Sequence, residues 1–171
     1  MLPADFRIAA VDSGAQPVLG NLFEHYLHDM AEWFEFDTEE DGAYRYPAGK
    51  CWDDGGVVYL AYSGRVPIGF AIVTAAESPV ETSTLDLKEF FVVRRHRRNG
   101  VGQAFAIHVW NRHPGPWLVR VFRGNRPALP FWRWCVADYS GGRYREVERQ
   151  SNGKTWSYFT FRSPGGTPQG G

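Results

Sequence analysis

The apolar positions change their spacing several times along the chain, and each change marks an element. Phe6 to Val11 is a short, β-rich apolar run that predicts a strand. Asp12 and Ser13 then offer helix caps. Leu19, Leu22, Phe23, Tyr26, Leu27 and Met30 recur at helical spacing and predict a helix from Val18 to Phe34. Residues 35–55 lose that period, are acidic and carry Gly and Pro, so they predict a loop with one short helical piece. Val57–Tyr62 and Ile68–Thr74 flank Ser63-Gly64-Arg65 and predict a hairpin, and Leu85–Val93 is a third strong strand. Val101–Trp110 predicts a helix and Trp117–Phe122 a strand. Pro127 suits the first turn of a helix carrying Phe131 to Val136, with Pro130 leaving its start open. Tyr144–Val147 and Thr155–Phe161 close the chain as a strand pair. This order predicts an α/β (α+β) fold, a mixed and mostly antiparallel sheet flanked by helices. It predicts one domain over residues 1–162 and a disordered tail over 163–171, Ser-Pro-Gly-Gly-Thr-Pro-Gln-Gly-Gly.

Composition narrows the class. The 171 residues are 43% hydrophobic and 22% charged, enough to bury a core and too apolar for a disordered chain. Aromatic residues reach 16%, which fits a bulky core or, for some of them, a ligand pocket. No stretch approaches the roughly 20 apolar residues of a membrane span, and Met1-Leu2-Pro3-Ala4-Asp5 is not a secretory leader. Cys51 and Cys135 make no disulfide framework, so a reduced, cytoplasmic protein is expected. His25 and His28, and His108 and His113, lack a third ligand at metal spacing, so no metal is expected.

Charge is unevenly spread. Residues 1–60 hold 12 acids and 3 bases, while the rest hold 7 acids and 16 bases. The halves either face differently charged ligands or complement each other. Aromatic and basic residues interleave at Arg94–Arg98 and Phe122–Arg126, but zero net charge and the acidic first third argue against a nucleic-acid partner.

The most informative segment runs Phe90-Phe91-Val92-Val93-Arg94-Arg95-His96-Arg97-Arg98-Asn99-Gly100-Val101-Gly102-Gln103. It is a strand, a Gly-bearing basic turn and a helix start. Unpaired N–H groups at a helix N-terminus attract pyrophosphate, glycine lets phosphate approach the backbone, and arginines add positive potential. The segment lacks the nucleoside-triphosphate loop pattern and G-x-G-x-x-G.

Arg97-x-x-Gly100-x-Gly102 resembles the [Q/R]-x-x-G-x-[G/A] motif of the GNAT superfamily of N-acetyltransferases. The strand ending Glu89-Phe90-Phe91-Val92-Val93 is similar to that family's fourth strand, and Asn125-x-x-Ala128-x-x-Phe131-Trp132 resembles its second motif. The element order is similar over residues 6–161. The resemblance implies an acetyl-CoA-dependent enzyme whose fourth and fifth strands splay apart to admit the pantetheine arm. It implies pantetheine pairing at Phe91 and Val93, with Val92 between them, and pyrophosphate binding by the amides of Arg98, Asn99, Gly100, Val101, Gly102 and Gln103. Arg94 and Arg95 could reach outer phosphates or stay solvated. Asn125, Phe131 and Trp132 would line the cofactor near the thioester. Glu89 would be the catalytic base, the alternative being a structural carboxylate. Where many members carry a thiolate-protonating tyrosine this chain has Trp132, so Tyr139, Tyr144, Tyr158 or water would serve. That departure sustains an alternative, a catalytically weak acyl-CoA-binding sensor. The acceptor pocket is expected around Tyr26, Asp29, Trp33, Trp52 and Asp53, where carboxylates and aromatic faces suit a small cationic amine or a lysine side chain. A homodimer is a family-level expectation.

Overall fold

The computed structural model describes residues 1–77 and 83–165. Its strands are β1 (Phe6–Val11), β2 (Val57–Ser63), β3 (Val66–Ala75), β4 (Leu85–Val92), β5 (Gly115–Phe122), β6 (Tyr144–Ser151) and β7 (Lys154–Ser163). Its helices are α1 (Gln16–Met30), α2 (Lys50–Asp53), α3 (Val101–Arg112) and α4 (Ala128–Ser140). The strands form one mostly antiparallel sheet in the order β1-β2-β3-β4-β5-β7-β6, flanked by helices, as expected for a mixed α/β chain. The backbone divides into two units, Met1–Ile72 with Glu89–Gly102, and Val73–Lys88 with Gln103–Gly171.

In the first unit, β1 and β2 pair antiparallel from Phe6↔Ser63 to Val11↔Val58. A 3-10 turn at Ser13–Ala15 leads into α1, and the Asp12 carboxylate accepts the Gly14 N–H at 2.9 Å. Pro17 lies in the first turn of α1, where its missing N–H costs nothing. The helix ends at Met30, four residues before the expected Phe34. Its apolar stripe ends at Met30 too, and the Trp33 and Phe34 N–H groups both turn back onto the Met30 carbonyl. Leu19, Leu22 and Phe23 bury against Val58, Leu60, Phe70, Ile72 and Phe91. The Phe23 ring stacks 3.8 Å from Tyr46 and lies 4.5 Å from Phe70. Much of the aromatic excess is therefore core, where each large side chain contributes about 1.5–3 kcal/mol.

In the second unit, β5 and β7 pair antiparallel from Gly115↔Ser163 to Phe122↔Trp156, and β6 pairs β7 from Tyr144↔Phe161 to Ser151↔Lys154. The closing hairpin is longer than its apolar runs suggested. Asn152 and Gly153, both at positive φ, make the two-residue turn that fixes its register. Trp110, Trp117, Phe105 and Phe159 are fully buried, and Trp110 lies 4.9 Å from both Tyr139 and Phe161. The tail expected from residue 163 requires correction at its start. Ser163 ends β7, is buried, and donates to the Trp110 carbonyl at 2.8 Å. Residues 166–171 of that tail lie outside the described residues. Among the described residues, no helix is long and apolar enough to cross a membrane.

Candidate functional site

The strand–loop–helix segment singled out in the sequence begins on β4 in the first unit. Phe91 and Val92 are buried, and Phe91 belongs to the core. Val93 is half-buried; its N–H donates to the Ile68 carbonyl at 2.8 Å, and its own carbonyl accepts the His96 N–H at 2.9 Å. A 3-10 turn at Arg94–His96 follows. Arg98 (φ +63°) and Gly100 (φ +81°) are both left-handed, a backbone course of the kind that makes anion-binding concavities. Glycine suits the second position, and a Cβ there would meet no heavy atom within 4 Å. Val101 then opens α3, whose first-turn N–H groups have no intrahelical acceptor.

The arginines of this loop have separate tasks. Arg94 donates from Nε to Asp29 Oδ1 at 2.8 Å, and Arg97 donates from Nη2 to Asp29 Oδ2 at 2.5 Å. Arg97 also donates from Nε to the Val92 carbonyl at 2.6 Å, with its guanidinium 5.3 Å from the Phe91 ring centre. Burial would raise the Asp29 carboxyl, but the hydrogen bonds and charges of Arg97 and Arg94 outweigh it and hold the group below the ordinary aspartate value. Asp29, expected in the acceptor pocket, and Arg94, expected either near outer phosphates or solvated, are joined in this cluster. Arg95 and Arg98 are exposed and, among the described residues, carry no ion pair.

Glu89 is half-buried on β4, and its Oε2 accepts a hydrogen bond from the Tyr26 hydroxyl of α1 at 2.5 Å. Burial first, then the charge of Glu89 and this hydrogen bond, push the Tyr26 phenol well above its usual value. Tyr46, invisible as a site residue in the sequence, is pushed up to about 12 by burial and by Cys51, Glu89 and Asp54. Trp33 lies in the turn after α1. Trp52 donates from Nε1 to the Val11 carbonyl at 3.0 Å and packs on the core, while Asp53 is exposed. Glu24, also unforeseen, ties down the acidic loop by accepting the Tyr44 N–H at 2.7 Å and the Arg45 N–H at 2.9 Å. Residues Glu35 to Asp41 are exposed.

The second unit carries the remaining expected residues. Gln103 donates to Asp138 Oδ2 at 2.9 Å. The Asn125 side-chain oxygen accepts the Ala128 N–H at 3.2 Å and so helps start α4. Trp132 is 8% exposed, with its ring 4.9 Å from Phe131 and 6.3 Å from Trp110. Tyr139, one of the candidate acids, donates to Asn111 Oδ1 at 2.7 Å and shares a 2.6 Å hydrogen bond with Ser163. The parallel β4–β5 ladder comprises two registered pairs, Leu85↔Trp117 and Asp86↔Leu118. Asp86 is buried and paired with Arg120 at 2.6 Å. Among the described residues, no cluster of His, Cys, Asp or Glu could hold a metal ion.

Residues 25–135 match the sequence profile of the Acetyltransferase (GNAT) family. No curated protein matches the chain. Solved structures do match in fold. A candidate acetyltransferase from Salmonella typhimurium, determined with its cofactor acetyl-CoA, shares 13% identity over 92% of this chain and 94% of its own, with a TM-score of 0.63. Spermidine N-acetyltransferase from Vibrio cholerae, in complex with CoA and spermine, shares 12% over 94% and 96%, with a TM-score of 0.62. The ribosomal-protein-S18-alanine N-acetyltransferase of Escherichia coli shares 12% over 97% and 99%, with a TM-score of 0.61.

Proposed function

Because the chain belongs to the acetyltransferase (GNAT) family, we propose that it is an acetyl-CoA-dependent N-acetyltransferase acting on an amine. One observation carries the reading: a buried strand end delivers a basic turn, left-handed at Arg98 and Gly100, onto the N-terminus of α3. Amides from Arg98 through Gln103 hold the pyrophosphate there, with Arg95 and Arg98 adding positive charge. Phe91 and Val93 pair with the pantetheine amides. At Val93, whose N–H is committed to Ile68, the carbonyl's second lone pair does the pairing. Asn125, Phe131 and Trp132 line the cofactor near the thioester.

The acceptor nitrogen attacks the thioester carbonyl carbon. A C–N bond forms, the C–S bond breaks, and sulfur leaves with the electron pair as a thiolate. Glu89 takes the proton that nitrogen loses, directly or through one water. Water can protonate the leaving group, because a thiol pKa of about 8.5 makes the thiolate a modest base. That route suits a chain with buried Trp132, and with Tyr139 already bonded to Asn111 and Ser163.

For the acceptor we favour a small cationic amine or a lysine side chain. The exposed acids Glu35 to Asp41 and Asp53, beside Trp33 and Trp52 in sequence, support a cation. We also place the enzyme in the cytoplasm and assign residues 1–163, through the end of β7, to one catalytic domain. The test is a calorimetric titration with acetyl-CoA, using CoA and ATP for comparison, followed by thiol release with a panel of amines. Saturable one-to-one binding of acetyl-CoA but not ATP, then amine-dependent thiol release, is expected. Binding without release from any amine would favour the sensor, and absent binding would overturn both.

A further inference from the structure

We propose that Tyr26 is a positioning residue for the catalytic base, its phenol holding the Glu89 carboxylate ionised and fixed in plane through the bond to Oε2. This rests on the reading of Glu89 as the base. The two residues stand 63 positions apart, yet α1 and β4 bring hydroxyl and carboxylate to 2.5 Å. The phenol cannot swing away easily. Its ring meets Phe23 at 5.9 Å, Phe70 at 5.6 Å and Phe91 at 5.9 Å, each edge to face at 66° to 83°. A phenol so held has one proton to give, and it gives it to Glu89.

The consequence for Glu89 follows from which form the bond favours. A donated hydrogen bond stabilises a carboxylate over its acid, opposing the burial that would protonate it. The donor lasts through the working range, because burial and the neighbouring carboxylate keep Tyr26 protonated. Tyr46, from the segment before α2, also feels the charge of Glu89, together with Cys51 and Asp54. Lys88, the next residue on β4, is exposed.

The variant Tyr26→Phe keeps the ring and removes the donor. In the full chain labelled with carboxyl-13C glutamate, the Glu89 carboxyl should titrate at higher pH in the variant than in the native chain. The acid limb of kcat/KM for thiol release should move to higher pH by the same amount, with acetyl-CoA affinity unchanged. An unmoved Glu89 pKa overturns the proposal, and so does a moved pKa with an unmoved acid limb. Undiminished turnover in Glu89→Gln would instead remove the base reading beneath it, leaving a purely structural pair. If Tyr26→Phe fails to fold, Glu89→Gln still decides. Ultraviolet difference spectra of Glu89→Gln should show Tyr26 and Tyr46 both titrating at lower pH than before, and fewer than two shifted tyrosines overturns the coupling.

Discussion

Asp29, in the last turn of α1, accepts a hydrogen bond from Arg97 Nη2 at 2.5 Å across 68 residues of chain. Arg97 is the first residue of the Arg-x-x-Gly-x-Gly run that leads into α3. Its guanidinium is spent on protein, bonded to Asp29 and to the Val92 carbonyl, so it stiffens the loop; in the proposed reading, phosphate contact falls to backbone amides. Arg94 completes the cluster at Asp29 Oδ1.

Asp29→Asn therefore sets two effects against each other. The variant loses the charge that both arginines bind, which should lower stability by about 1 kcal/mol, since Arg94 and Arg97 are solvent-exposed and screened. The bond from Arg97 Nε to Val92 survives and keeps the loop in place, while the proposed phosphate site gains one unit of net positive charge. Acetyl-CoA affinity should hold or rise at low salt and depend more steeply on ionic strength. Urea titration and calorimetry at two salt concentrations read both effects. A tenfold loss of affinity would mean that Asp29 itself shapes the phosphate loop.

Acid stability should divide between two aspartates of opposite sign. Asp29 is held below its unfolded value, so it contributes stability fully above about pH 4 that is lost as pH falls through the folded pKa. Asp86 is raised, chiefly by burial against the opposing pull of Arg120, and its Oδ1 has no hydrogen-bond partner among the described residues. It costs stability above its folded pKa, and that cost fades as pH falls from there toward the unfolded value near 4. Melting temperature against pH should lose less on acidification in Asp29→Asn than in the native chain. Asp86→Asn should instead remove a gain. Parallel curves for all three proteins would contradict the assignment.

Much of this was legible in the sequence because the elements are periodic and strongly punctuated. The spacing from Leu19 to Met30 marks the buried face of α1, and the turn from Arg94 to Gly100 stands between a strand run and a helix run. The apolar pattern overruns the α1 end because Trp33 and Phe34 look apolar enough to continue a helix, whereas their N–H groups close the last turn onto Met30. The apolar pattern stops short of the end of β6 because Glu148 to Ser151 carries no apolar alternation; the Asn152-Gly153 turn is the signal that marks the full hairpin. Pairings resist such reading altogether. Nothing local distinguishes Asp29, which binds Arg94 and Arg97, from Asp53, which is exposed, or marks Tyr26 as the partner of Glu89.

Gly100 allows the phosphate assignment to be tested with strain held apart from ligand contact. At φ +81° any L-residue there pays a left-handed penalty of about 1–2 kcal/mol, so Gly100→Ala and Gly100→Glu should lower stability by similar amounts. Neither should clash within the protein, since a Cβ at this position meets no heavy atom within 4 Å. Their effects on cofactor should separate. Alanine puts one methyl at the loop surface and should weaken acetyl-CoA several-fold. Glutamate adds a negative charge at the proposed pyrophosphate site, and calorimetry should find no saturable binding. If both variants bind acetyl-CoA like the native chain, the pyrophosphate lies elsewhere, and the basic turn is only a solvated connection between β4 and α3. If both lose binding equally, backbone strain at residue 100, rather than charge at the cradle, controls the site.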